Sequence, residues 1–442
     1  MLKKYFTTEI KIFLISILFL LMFIKPSIEF GIECSRMATI ESLVEEKTFI
    51  IDNSSFTNNC IDKIYIDCNR YPNLNGCGHF YSEKPPFLSF LGAGIYLILN
   101  SLLGLDISSS WHVPYLLVFL LIAIPYTLLL ILFYRSLALI KVKEKYKVLL
   151  TLGLGFGTIL LPYATILNNH IPATVLLFAS FYLFLKLKFS KKINVKSNLC
   201  LIGLLTGFAS IIDYTSAIFI ILFLGYNLLT KKIRNNLIYF ILGLILPLSI
   251  HLILNYSVFE TIKPAYFMQG VYDYPNSYWK GYAASHSQGN LITDSYHLLL
   301  GDAGLFTFSP VLIIPFIYLL FSLFSNKHEL RKEAWMVLLG VVIIYLTYIL
   351  VFHSSYKDLS FGFRFGMLLI PLIMFFGACF FKEKVYKERL LIFYATLFFS
   401  IAISFIGVLH ARGLVQNHSL IIGDIFPLMF FIAFALIYKP KS

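Results

Sequence analysis

The run Ile12-Phe13-Leu14-Ile15-Ser16-Ile17-Leu18-Phe19-Leu20-Leu21-Met22-Phe23-Ile24 holds one hydroxyl and no charge. Lys3, Lys4 and Lys11 precede it, and Lys25-Pro26 closes it with no small-residue cleavage site behind. Basic residues ahead of an apolar run mark the cytoplasmic side, so this stretch predicts an uncleaved first helix with its N-terminus inside. The polar stretch 27–84 then lies outside. Apolar runs of about 15–20 residues recur along the rest of the chain, a length that suits membrane spans. Composition agrees, since 58% of the 442 residues are hydrophobic and 13% are charged. A soluble domain carries about 25% charged residues, and this chain has too few to cover a water-facing surface. Soluble, disordered and collagen-like classes are thereby excluded.

The 36 Lys and Arg outnumber the 23 Asp and Glu, for a net charge of +13. The excess sits in short hinges between apolar runs, at 135–147, 186–196, 231–234, 327–332, 382–389 and 439–441. That is the bias of cytoplasmic loops. Nucleic-acid binding needs a soluble basic face with interleaved aromatics, and none is present. Between the hinges lie 168–172, 213–214, 256–310, 353–364 and 410–424, poorer in clustered Lys and richer in His, Asp, Tyr and Asn. The alternation predicts both termini in the cytoplasm and an all-α polytopic bundle of about 12 transmembrane helices. One run breaks the count. Residues 86–105 are apolar but begin with Pro85-Pro86 and contain Gly92, Gly94 and Asn100. A full crossing there would put 135–147 outside, so 86–105 reads as a short re-entrant or surface helix.

The chain therefore reads as one transmembrane domain, 1–442, with two large extracytoplasmic loops at 27–84 and 256–310. Loops this long are usually functional. In the first, Ile32, Met37, Ile40 and Val44 fall at helical spacing with Glu33, Arg36, Glu41 and Glu45 between them. This predicts an amphipathic helix lying on the outer membrane face. Cys34, Cys60, Cys68 and Cys77 share that loop, and four cysteines allow three pairings. At least one disulfide is expected within 60–77. Cys200 and Cys379 lie in apolar runs and read as small core residues.

No P-loop, H-E-x-x-H or G-x-S-x-G motif occurs. The apolar runs hold almost no charge at mid-depth, where an ion-coupled transporter needs it. Ionisable residues collect instead at the outer helix mouths. Tyr81-Ser82-Glu83-Lys84-Pro85-Pro86 stands where the first loop re-enters the membrane, and a Lys there holds a phosphate as a point charge or snorkels as an anchor. Glu33 and Arg36 share a helical face, as a base with its orienting cation or as a surface ion pair. Asn169 and His170 top another helix, for an acceptor, a metal or a cap. Asp213-Tyr214 and Gly362-Phe363-Arg364-Phe365 occupy similar mouths. Arg364 suits a phosphate oxygen. Tyr272, Tyr274, Tyr278 and Trp279 suit sugar faces or an interfacial belt.

Taken in order, Glu33-Cys34-Ser35-Arg36, Leu43-Val44-Glu45, Phe49-Ile50-Ile51-Asp52, Asp62-Lys63 and His79-Phe80-Tyr81-Ser82-Glu83-Lys84-Pro85-Pro86 resemble the first outer loop of GT-C membrane glycosyltransferases. The branch is that of protein O-mannosyltransferase-like and lipid A aminoarabinose transferase-like proteins. Leu161-Pro162-Tyr163, Asp213-Tyr214, Gly304-Leu305-Phe306 and Gly362-Phe363-Arg364-Phe365 are similar to strings in its prokaryotic members. The chain departs from the pattern at Ile32, where the family often has Asp or Asn, and at Asn169-His170, where a second acidic residue is common.

The resemblance implies a GT-C-like bundle, a polyprenyl-phosphate-linked sugar donor and transfer on the extracytoplasmic side of the plasma membrane. Glu33, Arg36, Asp62 and Glu83 are then the catalytic candidates, and Lys84, Arg364 and Tyr81 the donor-phosphate candidates. Asn169, His170, Asp213 and Tyr214 support the acceptor, which is a lipid, glycan or protein. The resemblance names no certain cofactor and leaves a divalent metal open. A transporter or flippase of lipid-linked sugars would share the greasy groove and the basic contacts without needing Glu33 beside Lys84. A non-catalytic scaffold is the third reading.

Overall fold

The computed structural model describes residues 7–26, 33–280, 291–324, 328–351, 361–382, 387–415 and 422. The described residues are mostly helical. In order come α1 (Thr8–Phe23), α2 (Cys34–Glu45), α3 (Pro86–Leu103), α4 (His112–Leu139), α5 (Glu144–Phe156), α6 (His170–Phe189) and α7 (Val195–Ile212). There follow α8 (Ile218–Leu229), α9 (Leu237–Phe259), α10 (Leu291–Leu299), α11 (Ile313–Phe324), α12 (Arg331–Val351), α13 (Arg364–Lys382) and α14 (Lys387–Ala411). One two-stranded antiparallel ribbon, β1 (Lys63–Tyr65) and β2 (Phe80–Ser82), pairs Ile64 with Tyr81.

Local chemistry sets the helix ends. Thr7 caps α1 through the Ile10 N–H, and Asn194 caps α7 through the Ser197 N–H at 3.1 Å. α3 starts on Pro85-Pro86, which wastes no donor, and stops at Gly104, whose φ of 62° suits a residue without a side chain. α7 and α9 cross with their backbones almost touching. A Cβ on Gly203 would come within 2.0 Å of the Phe240 carbonyl, and one on Gly243 within 2.0 Å of the Cys200 carbonyl. Small residues permit this approach where lipid gives no hydrophobic drive to helix pairing.

Among the described residues, 8 helices are long and apolar enough to cross a membrane, which makes the chain an integral membrane protein. The alternation of Lys-rich hinges and apolar runs predicts about 12. The difference has identifiable sources. α1 has 16 residues, the apolar helices Tyr214–Leu229 and Pro310–Phe324 are also short, and the run after Leu420 lies, Ile422 apart, outside the described residues.

α3 has the length and composition of a span, and its flanks are tied to the start of α2 on one side and to α1 on the other. Before it, the Ser82 hydroxyl donates to Ser35 Oγ at 2.9 Å, at the start of α2. After it, Tyr115 in the first turns of α4 donates to the Leu21 carbonyl at 2.6 Å, near the end of α1. α4 then runs antiparallel to α1, so that Arg135 meets Glu9 at 2.6 Å. α3 packs against α2, the Tyr96 hydroxyl donating to Glu45 at 2.7 Å.

The expected amphipathic surface helix forms as α2 but is not a surface element. Arg36, Glu41 and Ser42 are buried along with Met37 and Ile40, because α3 and the loop pack on its polar side as well. Glu41 accepts from the Ser55 N–H and hydroxyl, each at 2.8 Å. Ile32 lies outside the described residues.

Candidate active site

The two long loops, read separately from the sequence, form one layer. The Tyr65 N–H donates to the Val271 carbonyl at 2.9 Å, Tyr71 donates to the Gln269 carbonyl at 2.9 Å, and Arg70 pairs with Asp273 at 2.9 Å. Two disulfides brace this layer, Cys34–Cys60 and Cys68–Cys77. The first joins the residue after Glu33 to the loop that carries Asp62.

Lys84 sits at the floor of the layer with its side chain only 8% exposed. Its ammonium meets Asp62 Oδ2 at 2.8 Å and Glu83 Oε1. The second loop holds both carboxylates from the other side, Trp279 Nε1 donating to Asp62 at 3.3 Å and the Tyr272 hydroxyl to Glu83. Burial alone pushes the Asp62 carboxyl up. The Lys84 ammonium, with Arg364 and the Trp279 N–H, more than offsets this and holds it below the usual carboxylate range. Two carboxylates around one buried cation suit an ion network better than a metal. Among the described residues no three His, Cys, Asp or Glu side chains gather as a metal site. Beside Lys84 remains a cavity of about 10 Å³ bordered by Thr39, Ser89 and Phe259, room for one water.

Glu33 lies at the N-cap of α2 and is 5% exposed. Its Oε1 accepts the Leu167 N–H at 2.9 Å. Burial pushes its pKa up to about 7, against the opposing pull of Lys25, the Leu167 N–H and Arg36. Of the two readings of Glu33 and Arg36, the surface pair does not form. Arg36 is fully buried and donates to Asn169 Oδ1 at 2.9 Å, because the start of α6 packs over the start of α2. Next to Asn169, His170 Nδ1 contacts Asp213 Oδ2 at 2.6 Å, both side chains being buried. The Phe365 ring stands edge-on to His170 at 5.5 Å and carries the Arg364 guanidinium 4.9 Å over its face. Arg364 lies within electrostatic reach of both Asp62 and His170.

Two clusters result, Glu33, Arg36, Asn169, His170 and Asp213 in one and Asp62, Glu83 and Lys84 in the other, with Arg364 in electrostatic reach of both, although they come from chain positions more than 300 residues apart. Two of the residues expected there stand elsewhere. Tyr81 alternates to the opposite face of β2 from Ser82, donates to the Gly76 carbonyl at 2.9 Å and packs on Phe259. Tyr214 sets its ring edge-on against His251 at 5.5 Å. The clamps supplied by Tyr272 and Trp279 were legible only as aromatic residues. Their phenol and indole donors were the signal for buried carboxylates.

No family model matches the chain, and no curated protein matches it. Two solved structures are similar to it in fold. One is ArnT from Cupriavidus metallidurans bound to undecaprenyl phosphate, with 11% identity over 97% of this chain and 76% of that one, at a TM-score of 0.49. The other is the Archaeoglobus fulgidus oligosaccharyltransferase in the apo form, with 11% identity over 93% of this chain and 56% of that one, at a TM-score of 0.47.

Proposed function

We propose that the chain is a membrane glycosyltransferase that moves a sugar from a polyprenyl-phosphate-linked donor to an extracytoplasmic lipid, glycan or protein acceptor. The observation that carries this reading is a buried lysine held between carboxylates and a buried carboxylate of near-neutral pKa in two neighbouring clusters, at either end of the Ser35–Ser82 hydrogen bond. A polyprenyl donor stays in the bilayer with its phosphate at headgroup depth, and the reaction needs a cation there and a base for the acceptor. Lys84 and Arg364 stabilise charge on the leaving phosphate. Glu33, with a pKa of about 7, is ionised in good part near neutral pH and takes the acceptor hydroxyl proton. The acceptor oxygen bonds to the anomeric carbon as the bond from that carbon to the phosphate oxygen breaks, and polyprenyl phosphate leaves. His170, held by Asp213, and Asn169, held by Arg36, shape the acceptor side. The 10 Å³ beside Lys84 does not admit a phosphate. Donor entry therefore requires the Lys84–Asp62 contact to open as phosphate oxygens replace carboxylate oxygens.

The test is sugar transfer by purified protein from a labelled polyprenyl-phosphate hexose to an envelope extract. Glu33→Gln is expected to keep donor binding and lose transfer by about 10²–10⁴-fold, the usual worth of a general base. Movement of the intact donor across a bilayer without cleavage would assign the chain to transport instead. Full transfer by Glu33→Gln would remove Glu33 from the chemistry.

A further inference from the structure

At the end of the bundle away from Lys84, the last turns of α6 and α8 and the first turn of α12 surround a cavity of about 650 Å³. Three helices set its distance from the candidate active site. α6 starts at His170 and brings Leu187 and Lys188 to the cavity wall. α8 starts after Asp213 and ends at the wall, and α12 starts at the wall and carries Tyr348 to a stack on Phe365. Twenty residues of α6 rise about 30 Å, so the two places lie a membrane core apart.

Among the described residues, Lys188, Lys232, Arg331 and Lys332 line the cavity with one carboxylate, Glu329, which itself pairs with Lys382 at 2.9 Å. Each cation is posed by the protein. Lys232 Nζ donates to the Leu187 carbonyl at 2.6 Å, Lys332 Nζ to the Leu229 carbonyl at 2.7 Å and Arg331 Nε to the Leu323 carbonyl at 3.1 Å. Lys188 is spent, its ammonium meeting both Glu333 oxygens at 2.7 and 2.8 Å and the Glu329 carbonyl, so the other three cations are the ones left for a ligand. The Leu187, Leu229 and Leu323 carbonyls belong to the last turns of α6, α8 and α11, so the side chains that meet them neutralise helix C-termini. Capping does not account for the rest. A Lys ammonium has three donors and an Arg five, so one carbonyl does not exhaust either. Helix capping needs no cleft, and this open cleft of about 650 Å³ is the size of a small-molecule site. Phe184 and the half-exposed Trp335 give it an apolar wall. Basic pockets between membrane helices with such walls hold phosphate headgroups.

We propose that this cavity is a second, non-catalytic site that binds an anionic phosphate group, joining the ends of α6, α8 and α12. The phosphate comes either from an acidic phospholipid headgroup or from a soluble phosphate, and the chemistry at the cations is the same.

The test is native mass spectrometry of the full-length protein released from micelles containing phosphatidylglycerol and phosphatidylcholine in equal amounts, then titrated with inorganic pyrophosphate. Retention of phosphatidylglycerol over phosphatidylcholine supports the lipid source, and a saturable pyrophosphate adduct supports the soluble one. The triple substitution Lys232→Gln, Arg331→Gln and Lys332→Gln is expected to weaken either adduct roughly a hundredfold, about fivefold for each interfacial cation. The triple exchange Lys232→Arg, Arg331→Lys and Lys332→Arg keeps the charge and is expected to keep the adduct. Equal retention of both lipids with no pyrophosphate adduct would overturn the proposal, as would an unchanged adduct in the Gln variant. Should the Gln variant not fold, the wild-type preference and the single substitution Lys332→Gln decide.

Discussion

The two ends of the bundle use lysine in opposite ways. At one end Lys84 is buried between Asp62 and Glu83, and charge is met by charge. At the other, Lys232 and Lys332 rest on the final carbonyls of helices at the rim of a large cavity. A buried cation bound to carboxylates is committed, and a ligand reaches it only by displacing a partner. A cation that caps a helix at the rim keeps donors to spare. The same residue type therefore marks a closed site in one place and an open one in the other.

Removing the cation from each end should break this comparison most visibly. Lys84→Ala leaves two buried carboxylates without their cation and is expected to destabilise the protein by about 3–5 kcal/mol. Lys332→Ala removes an exposed side chain and should cost about 0–1 kcal/mol. Thermal unfolding of both variants in one detergent tests the contrast, and equal shifts would show that the Lys84 network is not tightly held.

The pH response sharpens it. The Glu33 pKa is raised from 4.5 to about 7 in the folded state. Its carboxylic acid form is thus favoured by folding. The associated stability is complete below pH 4.5, falls between pH 4.5 and 7, and is constant above. The amplitude is on the order of 3 kcal/mol for a shift of this size. Glu33→Gln should flatten that window and unfold at a higher temperature than wild type at pH 8. An unchanged pH profile would mean that Glu33 is solvated.

The disulfides come next in size. Cys34–Cys60 and Cys68–Cys77 belong to the end that carries Lys84, and losing either is expected to cost about 2–4 kcal/mol there. Before reduction only two of the six cysteines, Cys200 and Cys379, should take up alkylating reagent after denaturation, and all six should do so after reduction. Six adducts without reductant would remove the braces from the picture.

These contrasts also show what the sequence could reveal. Segregation of Lys-rich hinges from His- and Asp-bearing mouths is a composition signal, and among the described residues members of the two sets stand at opposite ends. Arg135 meets Glu9 and Lys382 meets Glu329 at 2.9 Å at one, while His170 meets Asp213 at the other. Glu83-Lys84-Pro85-Pro86 was readable because proline and lysine have strong local meaning. The partners were not. Asp62 reaches Lys84 through the β1–β2 pairing, and Arg36 reaches Asn169 across 133 positions. Periodicity cannot register such contacts. α2 misled for a related reason, since charges between apolar residues look the same whether water or buried partners meet them. Tyr81 lay inside the best motif, yet strand alternation turned it away.

The smallest effect follows from that turn. Tyr81→Phe loses one hydrogen bond to Gly76 and is expected to cost about 1 kcal/mol with donor affinity unchanged. A loss of donor binding would return Tyr81 to the phosphate site.

The most direct measurement is a structure of the purified chain with polyprenyl phosphate. The phosphate is expected within hydrogen-bond reach of Lys84 Nζ, with Arg364 turned toward it and the 2.8 Å contact between Lys84 and Asp62 opened. Phosphate bound elsewhere, with Lys84 still held between Asp62 and Glu83, would contradict the assignment of this group as the donor site.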